Sequence, residues 1–491
     1  MDRITIDLEQ RIGDIDRNIF GGFVEHLGRG VYGGIVEPGS PLAGPDGLRI
    51  DVLEAARRLG YSTIRYPGGN FASAYRWRDG VGAPETRPIR ADPAWDGVDP
   101  NTFGTNEFIG FCRALGAEPY FVVNAGDGDM REARDWVEYC NGTRPTALTG
   151  LREAHGHPQP HRVRYWGIGN EVDGAWQVGF KTPSEYARTY HEFAKVMRWV
   201  DPSIKLIASA VSYWDGDPVE RIQMLLEEAP DHVDYLSIHW YVGDRTGDLR
   251  TYLAVSEQIE DRLRAIEGVS RALTLGRRPR PPIPIAVSEW NVWYRATPDA
   301  RHPTFNSLEE TYDLADALVV AMHLNAFIRH ASSVRMANLA QLVNVLAPMI
   351  TTKEGLLLQT TFHPFELYSR TCGDVALGVT WSGDTFSAGG YAGVRLLDVA
   401  ASLDERARRV SVYVVNRDPD GPREVAVDFA DARPSSDVEV RTISGPDAAA
   451  TNTWQDPDRV ATVARPSTMA SDTRFTATLP PLSVTALIFT L

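Results

Sequence analysis

Two glutamates stand at the ends of apolar, strand-like runs, each beside a polar or aromatic partner. Glu171 closes "VRYWGIGNE" (163–171) next to Asn170, and Glu289 lies near the end of "IPIAVSEWN" (283–291) beside Trp290. A charge at the tip of a buried strand is costly unless it is hydrogen-bonded or put to use. Two carboxylates facing one another across a cleft are what glycosidic bond cleavage requires. One protonates the leaving oxygen and the other handles the anomeric carbon. A structural, ion-paired carboxylate pair is the plainer alternative. The ends of other strand-like runs add Glu25, Asn70, His239, Tyr241 and Gln341, and Trp95, Trp176 and Trp290 belong to an aromatic set (with Trp77, Trp240, Trp293 and Tyr294) suited to sugar faces. Taken singly, Glu25 or Asn70 reads as a cap or turn residue and Tyr241 or Trp290 as a packed aromatic. Their grouping carries the case.

These residues must be held by a repeating scaffold. Between residues 16 and 375, short apolar runs bounded by Gly, Pro, Asn or Asp alternate with segments of helical period. Eight runs read as strands: 18–25, 62–69, 118–126, 163–171, 204–211, 234–241, 283–291 and 333–341. Helices are expected over segments such as 49–60, 105–116 and 183–201, the first two ending in Leu-Gly, a helix C-terminal signal. Eight strands alternating with helices predict an α/β fold, a (β/α)8 TIM barrel whose chemistry collects at the C-terminal ends of the strands. A doubly wound sheet would alternate too, so the count of eight decides. From residue 376 onward, short alternating runs separated by turn residues predict an antiparallel β-sandwich. Residues 1–15 contain "RITIDLEQ", which has the same texture and is expected to complete that sandwich.

Composition narrows the partners. Fifty Lys plus Arg against 65 Asp plus Glu give a net charge of −15. That argues against nucleic acid and against an anionic membrane surface, both of which need a basic footprint. A neutral small molecule fits better. The N-terminal stretch is charged throughout and no apolar run reaches 18 residues, so a cytoplasmic protein without a membrane span is expected. Three cysteines without motif spacing read as buried free thiols.

Two motifs point elsewhere. Gly28 to Gly33 matches G-x-G-x-x-G, yet a Gly/Pro-rich loop follows where a dinucleotide fingerprint needs a helix. His155, His157 and His161 look metal-like, but they precede the fourth strand and so belong to the opposite end of the barrel; a solvated loop is the expected reading. No G-x-S-x-G supports a serine nucleophile.

The longer motifs "GGFVEHLGRGVYGGIVEPGSP", "IRYPGGNFASAYRWRDGVG", "YWGIGNEVDGAWQVG", "SEWNVWY" and "MANLAQLVNVLAPM" resemble the family 51 glycoside hydrolases, the α-L-arabinofuranosidases, over nearly the full length. The resemblance implies a barrel with a C-terminal β-sandwich, commonly hexameric, with no cofactor and no metal. It implies that Glu171 is the acid/base, that Glu289 is the nucleophile, and that Glu25, Asn70, Asn170, Tyr241 and Gln341 contact the terminal sugar. The chain departs from the family's usual residues at Ala175, Phe180 and Ser288, on the leaving-group side. The expected activity is retaining, exo-acting release of terminal α-L-arabinofuranosyl units from arabinose-containing oligosaccharides. A barrel glycosidase acting on another furanoside or pyranoside, or a non-catalytic carbohydrate-binding protein, is the alternative.

Overall fold

The computed structural model describes residues 1–275, 281–296 and 308–491. Eight parallel strands close into a barrel: β1 (Gly21–Phe23), β2 (Thr63–Tyr66), β3 (Glu118–Val123), β4 (Tyr165–Ile168), β5 (Lys205–Val211), β6 (Tyr235–Val242), β7 (Ile285–Val292) and β8 (Val334–Ala340). Each pairs with its neighbour in chain order, and β8 pairs with β1. All eight expected strands are present, several shorter than expected. The first is cut to three residues because Asp16 accepts the backbone N–H of Asn18 and winds Arg17–Phe20 into a 3-10 turn.

Side chains from alternate strand positions fill the barrel, among them Tyr120, Tyr165, Ile207, Tyr235, Ala286 and Met336. The opposite faces pack on the surrounding helices. The helix Pro183–Val200 shows why this works locally. Thr182 and Glu185 form a reciprocal capping box, Pro183 fills the first turn, and Tyr186, Tyr190, Phe193, Ala194 and Met197 form one buried stripe. Burying each of its large apolar side chains contributes about 2 kcal/mol. The helix Leu314–Arg329 is buried on all sides except at Arg329, because the barrel lies on one flank and the C-terminal sheet on the other.

That sheet has nine strands. The N-terminal strand Asp2–Asp14 lies within it, antiparallel to Val375–Ser382 and parallel to Arg423–Phe429. The sheet curls over its own core. Phe489 on Ser483–Thr490 touches Phe429 and Phe475, whose strands are five and six places away in the sheet order. Strand Ala461–Thr468 and the hairpin Thr385–Ala388/Tyr391–Arg395 were not expected from the sequence. Exposed residues along both obscure the alternation.

Candidate active site

The strand-end residues converge as expected. A cleft of about 840 Å³ opens at the C-terminal rim of the barrel, and Glu25, Asn70, Trp95, Asn170, Glu171, Trp176, His239, Tyr241, Glu289 and Gln341 all line it. Trp290 does not. Neighbouring residues of a strand face opposite sides, so turning Glu289 into the mouth sends Trp290 outward. It is fully buried, stacked on His323 and edge-on to Phe327. Trp77 likewise leaves the rim and stacks on Trp136 in the core.

Two backbone devices aim the glutamates. After β4 the chain turns at Gly169, at φ +79°, and Glu171 itself lies in the left-handed region at φ +43°. A non-glycine residue there costs on the order of 1–3 kcal/mol, and such strain gathers at functional sites. On β7, Val287 pairs with Ile238 and Glu289 with His239, so Ser288 is one residue too many. This bulge presents Ser288 and Glu289 to the barrel interior together.

One oxygen of Glu171, one of Glu289 and a ring nitrogen of His239 lie within 4.8 Å of one another. Among the described residues this is the group that could hold a metal ion. Its atoms are also engaged in hydrogen bonds. His239 Nδ1 meets Glu171 Oε1 at 2.9 Å and stands 3.5 Å from Glu289 Oε1, while Nε2 meets Ser288 Oγ at 3.0 Å. Ser288 Oγ is in turn 2.6 Å from Ser237 Oγ. Trp176 Nε1 donates to Glu171 Oε2 over 2.7 Å from a half-exposed ring.

Glu289 is buried and held from two sides. Arg65 donates to Oε1 at 2.5 Å, and the Tyr241 hydroxyl donates to Oε2 at 2.9 Å. Burial alone would push this carboxyl up. The neighbouring His239 ring, the Arg65 guanidinium and the two hydrogen bonds outweigh burial and hold it below its ordinary range. Glu25 behaves oppositely. Burial first, then the charge of Glu289, pushes it up to about 7 against hydrogen bonds from Trp95 Nε1 and the Phe71 N–H. Gln341 bonds it twice, from Nε2 to the carboxylate and from the Glu25 backbone N–H to Oε1. Asn170 accepts from Arg65 Nη2 at 2.6 Å. A Cβ on Gly69 would stand 3.2 Å from Glu289 Oε1 and 3.5 Å from Asn170, so a side chain there would crowd the floor between them.

Arg65 was missed from the sequence, although a signal existed: a lone arginine inside the apolar run "STIRYPGG". Ser237 carried no such signal, and Ser288 stood out only as a departure from the family's usual residue.

The two decoys resolve. No helix opens at Gly28–Gly33; the chain continues as a looped segment to Arg49, stitched by bridges such as Val36 to Leu48. His155 pairs with the Tyr139 hydroxyl and His161 with Asn106, and burial pushes His161 down to about 3.

Residues 55–252 match the α-L-arabinofuranosidase 1 domain and residues 288–483 the α-L-arabinofuranosidase C-terminal domain. The chain is 39% identical over 495 residues to an intracellular exo-α-(1→5)-L-arabinofuranosidase of Streptomyces lividans, covering 98% of this chain and 74% of that one. It is 38% identical over 426 residues to intracellular exo-α-(1→5)-L-arabinofuranosidase 1 of Bacillus subtilis, covering 85% of each. The crystal structure of the Thermotoga maritima α-L-arabinofuranosidase in its arabinose complex superposes with a TM-score of 0.92 at 37% identity, covering 100% of both chains. The chain therefore belongs to glycoside hydrolase family 51, the α-L-arabinofuranosidases.

Proposed function

We propose that this protein is a retaining, exo-acting α-L-arabinofuranosidase. The observation that carries the mechanism is the spacing of the carboxylates: an oxygen of Glu171 and one of Glu289 lie within 4.8 Å. Retaining glycosidases hold their carboxyls about 5–5.5 Å apart, whereas inverting ones leave about 6.5–9.5 Å for a water. Glu289, ionised and oriented by Arg65 and Tyr241, attacks the anomeric carbon of a terminal furanosyl unit. Glu171, carrying a proton, gives it to the leaving oxygen. Water then adds while Glu171 takes its proton, and arabinose leaves Glu289.

The sugar lies against Glu25, Asn70, Asn170, Tyr241 and Gln341, with Trp95 closing its side. Asn170, whose carbonyl is held by Arg65, offers its amide to a ring hydroxyl; Nδ2 has only a 3.3 Å bond to Gln177 to give up. Trp176, half-exposed and bonded to the acid, covers the leaving group. His239 orients Glu171 and needs no contact with the sugar.

The relatives act as intracellular exo-arabinofuranosidases by name, and among the described residues no helix is long and apolar enough to cross a membrane. The relatives' names support a cytoplasmic location, and we extend the reading to short oligosaccharides. We extend the proposal to a homo-hexamer, to a catalytic unit of residues 16–375, and to a sandwich of residues 1–15 with 376–491. The test of activity is a screen of aryl glycosides. Turnover of the α-L-arabinofuranoside above the β-D-galactofuranoside and β-D-xylopyranoside is expected. Preference for either of the others would replace the substrate, and no turnover would favour a binding protein.

A further inference from the structure

The cleft extends beyond the two carboxylates. Its wall also takes in Trp214 after β5, Arg262 from the helix Val255–Leu275, and Tyr391 from the hairpin of the C-terminal sheet. The Arg262 guanidinium lies 3.1 Å from the centre of the Trp240 ring and 4.3 Å from that of Trp214, and the two indoles meet edge-on at 5.6 Å. Trp214 Nε1 donates to the backbone carbonyl of His239, the residue that holds Glu171. The slot is therefore tied to the acid by one residue.

Arg262 lacks the acceptors that the buried guanidiniums have. Arg49, Arg65 and Arg329 each grip at least one carboxylate within 2.9 Å, and Arg152, Arg221 and Arg417 donate to backbone carbonyls or a hydroxyl. Arg262 is half-buried, and among the described residues no acceptor takes any of its N–H groups. The charges nearest it belong to the exposed Asp215 and, if ionised, to Tyr391, and neither bonds to it. Among the described residues Arg245 on the same wall also makes no hydrogen bond or ion pair, and Oδ1 of the Asp244 carboxylate beside it accepts from the N–H groups of Thr246 and Gly247. A partly desolvated guanidinium with a free donor edge, fixed between two indoles, is prepared for a planar anion. The chain's charge of −15 disfavours a polyanion.

We propose that this arm of the cleft binds the carboxylate of a uronosyl residue in the leaving-group portion of the substrate. Arg262 donates two parallel N–H bonds to it while the aromatic walls take the sugar faces. The inference rests on the furanosidase reading above and adds the chemical class of the chain that leaves.

The test uses two matched xylo-oligosaccharides, each with one terminal α-L-arabinofuranosyl unit, of which one also bears a glucuronosyl residue. The native enzyme should show a kcat/KM at least about tenfold higher on the acidic one, the range of a charge-assisted bond. The ratio should shrink at high salt and collapse toward one in Arg262→Gln, with Arg262→Lys between. If Arg262→Gln fails to fold, the salt dependence of the native ratio decides. A native ratio of one or below overturns the proposal while leaving the furanosidase reading intact, since the neutral substrate is still cleaved. Should neither be cleaved, that reading fails, and calorimetric binding of the two oligosaccharides gives the same ratio without turnover.

Discussion

Arg65 Nη1 lies 2.5 Å from Glu289 Oε1, and both side chains are buried. The same guanidinium donates to Asn170 Oδ1, so one fork fixes the proposed nucleophile and a proposed sugar contact together. Removing it leaves a buried carboxylate without its guanidinium partner, at a cost of about 3–5 kcal/mol. Arg65→Met should therefore raise the acid limb of the kcat/KM profile, because Glu289 must then lose its proton at higher pH. Arg65→Lys should recover little, since an ammonium cannot fork. An unmoved acid limb in Arg65→Met would remove Arg65 from this role.

Glu25 gives a pH dependence of stability. Its carboxyl is raised from 4.5 to about 7 in the folded protein, by burial and then by Glu289. Between those values the native state holds a proton that the unfolded chain has released, so stability falls as pH rises through the window. Glu25→Gln removes that loss. Relative to the native protein it should gain on the order of 3 kcal/mol between pH 4 and pH 8, read from denaturant midpoints. A constant difference across the range would contradict the burial argument.

His330 supplies a slope of the same sign over a higher pH window, far from the cleft. Burial alone would lower it, but hydrogen bonds to Glu260 at 2.8 Å and Glu267 at 2.7 Å raise it from 6.5 to about 9. Its stabilising contribution is complete below pH 6.5 and is lost as pH rises through 9. His330→Gln should be destabilised most at pH 6, by roughly 3 kcal/mol, and the gap should narrow above pH 9. Equal gaps at both pH values would count against it.

Much of this was legible in the sequence because the barrel repeats one rule. Apolar runs end at the rim, so Glu25, Asn170, Glu171 and Glu289 could be placed by their position after a strand. Trp290 was misplaced because it was grouped with Glu289, although past the bulge at Ser288 the regular alternation of the strand turns Trp290 to the opposite face. The bulge at Ser288 leaves no mark in residue types, so the Ser237–Ser288–His239 chain was hidden. The setting of Arg262 depends on Trp214, Trp240 and Tyr391, which three separate segments bring together.

Glu171 should separate leaving groups. Glu171→Ala should slow release of a sugar leaving group on the order of 100-fold or more, the usual worth of general acid catalysis. An activated aryl arabinofuranoside should be spared at the first step, and azide should restore part of its turnover. Equal losses on both substrates would deny Glu171 the proton-donor role.

The central claim is double displacement between Glu171 and Glu289, and the anomer first released tests it most directly. Proton NMR during early turnover of an aryl α-L-arabinofuranoside should show α-L-arabinofuranose before mutarotation mixes the anomers. β-L-Arabinofuranose appearing first would mean inversion, and the carboxylate spacing would then have been misread.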